Sequence, residues 1–98
     1  MTLGRDETEI VGHWEKVGGR MVEDEAARRI KTLIRDELKL VATTSGGWDR
    51  LFIDPSDGRY WELMYPFSEM HGGGPPVIRV LDIDSARSKY RLSGTQET

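Results

Sequence analysis

The stretch WDRLFIDPSDGRYWELMY, residues 48–65, reverses direction once and alternates on either side of the reversal. Before it, Trp48, Arg50 and Phe52 fall on one side of an extended chain and Asp49, Leu51 and Ile53 on the other. After it, Arg59, Trp61, Leu63 and Tyr65 oppose Tyr60, Glu62 and Met64. Asp54-Pro55-Ser56-Asp57-Gly58 supplies the turn: the proline ring presets φ at the second position, and glycine accepts the left-handed conformation. Two strands joined by so short a turn make an antiparallel hairpin. Both of its faces carry aromatic residues.

Working upstream, Leu38, Leu40 and Ala42 alternate with Lys39, Val41 and Thr43, a further strand that stops at Ser45-Gly46-Gly47. Before it the period changes. Ala27, Ile30, Leu33, Ile34 and Leu38 follow helical spacing, predicting a helix from Asp24 to about Glu37 with Asp24 as its N-cap. Gly18-Gly19 marks a tight turn ahead of the extended piece Arg20–Val22, and Ile10-Val11 with Trp14 form a short first strand or turn. Downstream, an irregular segment with Gly72-Gly73-Gly74-Pro75-Pro76 leads to a strand over Val77–Ile83. Asp84 then opens a short helix whose Ala86 and Tyr90, four apart, point inward. The expectation is an α+β fold: a single antiparallel sheet of about four to five strands packed on one main helix, with a short C-terminal helix. It is one domain over 1–98, ordered from about residue 9 to residue 90.

The chain has 98 residues, 14 basic and 17 acidic, and no cysteine. That excludes a disulfide framework, a cysteine-ligated zinc and a thiol nucleophile. No apolar run approaches the roughly 18 residues that a membrane span needs, and the N-terminus is too polar for a secretory signal. A cytoplasmic protein is expected. Its net charge of −3 argues against a dedicated nucleic-acid binder.

Catalytic and cofactor motifs are missing from the pattern. His13 and His71 are far apart in sequence and lack the convergent spacing of a metal site. The triple glycine is followed by prolines and a strand, whereas a phosphate loop needs a helix there. No serine occupies a nucleophile-elbow setting. No cofactor and no metal are expected, and the chain is not read as an enzyme. Between Thr43 and Gly72, by contrast, five acids (Asp49, Asp54, Asp57, Glu62, Glu69) meet two bases, and six of the eight aromatics are interleaved with them. Aromatics of a hairpin are core residues on one reading. Exposed and ringed by carboxylates, they compose a protein-binding hot spot suited to a basic partner. Trp48, Asp49, Asp54, Asp57, Trp61, Glu62 and Glu69 are the candidate protein-binding residues.

Gly18-Gly19-Arg20, the Asp24 helix with Arg29-Ile30, Gly47-Trp48-Asp49, Asp57-Gly58-Arg59-Tyr60-Trp61-Glu62-Leu63 and Gly72-Gly73-Gly74-Pro75 occur in that order. Together with the stretch from Ala86 to Tyr90, they resemble a family of small α+β bacterial immunity proteins from polymorphic-toxin systems. The resemblance implies an antidote that binds and neutralises a cognate toxin domain in the cytoplasm, a nuclease being one such toxin. Neither nucleic acid nor a membrane is an expected partner, and the oligomeric state is left open. Two other readings stand beside it: an adaptor that binds a peptide along the hairpin sheet, and a small enzyme using Glu69 and His71.

Overall fold

In a computed structural model, which describes residues 3–44, 48–66 and 74–91, the carboxylate of Asp24 accepts a 2.8 Å hydrogen bond from the Ala27 amide and caps helix α1, Glu25–Asp36. The cap fills one of the donors that a helix start leaves unmatched. The amides of Ala27 and His13 hold the Asp24 carboxyl below its usual range, with the His13 ring adding to the effect. Ala27, Ile30 and Leu33 line the buried stripe of the helix, as their spacing predicts.

Among the described residues five strands form one antiparallel sheet: β1 (Glu9–Val11), β4 (Lys39–Thr43), β5 (Arg50–Ile53), β6 (Tyr60–Met64) and β7 (Val77–Leu81). Their spatial order is β1-β7-β6-β5-β4, so β1 and β4 are the edges. The remaining strands, β2 (Trp14–Val17) and β3 (Arg20–Glu23), pair through the Gly18-Gly19 turn as a separate two-stranded sheet. The expectation of a single sheet is corrected here. After Val11 the chain turns out of the main sheet, and its backbone bonds redirect it. The Gly12 amide donates to the Pro76 carbonyl at 2.9 Å, and the His13 amide donates to Asp24 Oδ1 at 3.1 Å. Gly12 leaves no room for a side chain: a Cβ there would stand 2.6 Å from the Pro76 carbonyl oxygen and 3.0 Å from the Ala27 Cβ.

The packing also departs from one sheet on one helix. Ile30 and Leu33 of α1 cover one face, against Ile10, Phe52, Trp61, Leu63 and Ile78. The second helix, α2 (Ile83–Tyr90), covers part of the other, where Ala86 and Tyr90 pack on Leu51 with Ala42, Tyr60 and Leu81. Apolar residues on both faces of the hairpin therefore have burial to serve on both sides.

Residues before β1, expected to be loose, are held from Leu3 onward. Leu3 joins the α1-side core, Glu7 receives two hydrogen bonds from Arg29 at 2.6 and 2.7 Å, and the Arg59 guanidinium donates to the carbonyls of Gly4 and Glu7.

Candidate functional site

The hairpin read from the sequence is β5 and β6, with Leu51 opposite Glu62 and Phe52 opposite Trp61. Alternation sends Trp61 to the α1 face, where it is wholly buried beneath a 5.1 Å contact from the Arg59 guanidinium. It sends Glu62 to the α2 face, also wholly buried. Neither side chain offers atoms to a partner in this conformation.

Glu62 is the centre of a charged cluster. Its Oε2 accepts from the Tyr90 hydroxyl at 2.8 Å and lies 2.6 Å from Lys89 Nζ, while Oε1 is 3.6 Å from Arg79 with no hydrogen bond of its own. The same ammonium group reaches Asp49 Oδ2 at 2.8 Å. Burial of Lys89 opposes its charge, yet the bonds to Asp49 and Glu62 outweigh that and hold its pKa above the usual lysine range. Burial, reinforced by Glu62, pushes the Tyr90 phenol far up. A charge taken out of water requires such partners.

Asp49 also closes the loop that precedes β5. Its amide donates to Thr44 Oγ1 at 3.2 Å and its carbonyl accepts from the Thr44 amide at 3.0 Å. Trp48, directly before it, is 66% exposed, the highest value among the large apolar side chains of the described residues. A cleft of about 620 Å³ lies beside the loop base, lined by Thr43, Thr44, Lys89, Tyr90 and Arg91.

The other acids sit elsewhere. Asp54 is buried in the β5–β6 turn, where Oδ1 accepts from the Ser56 amide at 2.9 Å and the Ser56 hydroxyl at 2.7 Å. Asp57 pairs with Arg59 at 2.7 Å, and the Arg59 amide leads the interactions that lower its pKa. About 17 Å of extended strand separates Asp49 from Asp54, so the structure places Trp48 and Asp49 at one end of the hairpin and Asp54 and Asp57 at the other. Each of the carboxylates Asp49, Asp54, Asp57 and Glu62 has an internal partner. Glu69, His71 and Gly72-Gly73 lie outside the described residues. His13 has its Nδ1 3.4 Å from Asp24. Among the described residues no three of His, Asp and Glu converge as metal ligands.

Two features were invisible to the sequence reading. Lys89 gave no signal beyond its place next to Tyr90. A glutamate set between Trp61 and Leu63 in a strand was the available hint that a cation would cross to meet it. The exposed strip of β4, with Leu40 and Val41 at the sheet edge, was the second.

Among the described residues the scaffold is α+β, a five-stranded and a two-stranded antiparallel sheet with two helices. Residues 16–82 match the model of the family described as Immunity protein 27, and the chain belongs to that family. No curated protein and no solved structure was found that matches it. Among the described residues, no helix is long and apolar enough to cross a membrane.

Proposed function

We propose that the chain is the antidote to a cognate toxin, binding the toxin domain in the cytoplasm and blocking it, with Trp48 as the anchor of the contact. The Immunity protein 27 match carries the role, and the exposure of Trp48 beside the braced Asp49 carries the location. An exposed indole that a partner can cover is the kind of group that dominates binding energy. Asp49 holds the loop, Asp54 and Asp57 shape the opposite turn, and Trp61 and Glu62 support the hairpin from its two faces. Glu69 completes the proposed set. Inhibition by such a surface requires no cofactor and no reacting group.

Co-expression with the C-terminal domain of the protein encoded directly upstream tests this. Growth should be rescued by the wild-type chain with co-purification of a complex, and lost with Trp48→Ala. Toxicity that the wild-type chain fails to relieve overturns the reading.

The open β4 edge favours a second reading, an adaptor that takes a linear peptide as an added strand. The two separate on the ligand: an antidote needs the folded toxin domain, whereas an adaptor binds a short peptide from its partner with undiminished affinity.

A further inference from the structure

We propose that the toxin meets this chain along the β4 edge through a face that is apolar and acidic, not basic; this rests on the antidote reading. Among the described residues β4 is an outer strand of the main sheet, and one row of its backbone N–H and C=O groups has no strand partner there. The strip is also apolar. Leu40 is 58% and Val41 38% exposed, and with Trp48 they supply half of the exposed large apolar side chains of the described residues. The other three, Val17, Met21 and Ile83, are distributed over β2, β3 and α2.

Charge decides the kind of partner. Along this edge the carboxylates are engaged or set back: Asp36 pairs with Arg35 at 2.9 Å, Asp49 with Lys89 at 2.8 Å, and Glu37 is half-buried at the C-cap of α1. Lys39, paired with Ile53, lies on the α2 face and Arg50, paired with Thr43 and Leu63, on the α1 face, so the two flank the edge from its two sides. Both are exposed, and their side chains enter no hydrogen bond or ion pair among the described residues. The cleft at the end of the strand adds the exposed Arg91. Four of the five acids that make the sequence look like a basic partner's complement, Asp49, Asp54, Asp57 and Glu62, have partners inside the fold. Among the described residues the unpaired charges at this edge include the cations Lys39 and Arg50. A toxin segment with carboxylates flanking apolar side chains matches this strip, and if extended it also satisfies the free β4 backbone. The register of β4 on β5 shifts between Leu40 and Ala42, at the place where Leu40 and Val41 are exposed.

The test uses the full chain and the toxin domain encoded upstream, with Kd and association rate measured at low and high salt. Lys39→Glu combined with Arg50→Glu should weaken binding by about tenfold or more, mainly through slower association, and abolish the salt dependence. Leu40→Ser should weaken it as well. The same double reversal at Lys16 and Arg20 on the β2–β3 hairpin should leave Kd unchanged. Should Leu40→Ser fail to fold, the charge pair, whose side chains are exposed, carries the test alone. Unchanged or tighter binding by the Lys39/Arg50 variant, with the wild type binding, overturns the acidic-partner assignment and leaves the antidote reading standing. Absence of wild-type binding overturns both. A dimer of the chain alone that dissolves on Leu40→Ser gives the edge to a second copy and also overturns the assignment.

Discussion

Lys89 Nζ stands 2.6 Å from Glu62 Oε2 and 2.8 Å from Asp49 Oδ2, so one ammonium group ties a fully buried carboxylate to the loop that carries Trp48. Replacing Lys89 with methionine strands Glu62 with Tyr90 and a more distant Arg79. Loss of one partner from a buried pair costs roughly 3–5 kcal/mol. Lys89 is 39% exposed, so water softens the loss, and Lys89→Met should lower stability in urea by about 2 kcal/mol. Adding Glu62→Leu should restore part of it, because the wholly buried carboxylate is then gone, while Asp49 still lacks its lysine and the Tyr90 hydroxyl its acceptor. A double variant weaker than the single would contradict this account.

Glu7 provides a pH signature. Hydrogen bonds from Arg29 and the Gly4 amide hold its carboxyl at about 2, against 4.5 for a free glutamate. A depressed folded-state pKa contributes stability that is complete above the unfolded value and is lost as pH falls through the folded one. Thermal midpoints should therefore drop between pH 4.5 and about 2, and the slope in that window should flatten in Glu7→Gln. Equal slopes for the two proteins would remove Glu7 as the cause.

The two hairpin tryptophans should behave oppositely. Trp61→Ala opens a void in the α1-side core and should cost about 3–5 kcal/mol. Trp48→Ala, at an exposed position, should change stability by less than about 0.5 kcal/mol while costing about 2 kcal/mol or more in toxin binding. Denaturant melts with a binding isotherm on each variant separate the cases.

Gly12→Ala should destabilise by more than about 2 kcal/mol, since its methyl would meet backbone on one side and the Ala27 methyl on the other, with no flexible side chain to yield. The measured loss should be accompanied by faster amide exchange at Gly12 and Val80, whose backbone bonds fix β1 and its approach to β7.

Much of this fold could be read from residue spacing. The period of Ala27, Ile30 and Leu33 located α1, and the alternation across Asp54–Gly58 located β5 and β6 to within two residues. Alternation shows which residues share a face, not what covers it. With apolar groups on both faces of β6, the role of α2 depended on packing between distant segments. The candidate site was less legible for a related reason. Carboxylates were counted as surface charge, but Asp49 and Glu62 meet a lysine forty and twenty-seven positions away, and no local pattern announces such a meeting. Trp48 was named among the candidates, but which of the hairpin aromatics faces outward could not be read from alternation, since both faces carry them.

The strand order has a consequence for how the protein comes into being. Of the main-sheet strands β1 is made before the others, yet its Glu9–Val11 pairs with Val77–Arg79 of β7, the last of them. On the ribosome α1 and the β4-β5-β6 meander have mostly local partners, whereas β1 must wait. A nascent chain halted before Val77 has neither the strand that receives β1 nor the helix that neutralises Glu62. The main sheet thus closes only once β7 and α2 have been made, and any binding that needs the finished fold waits for both.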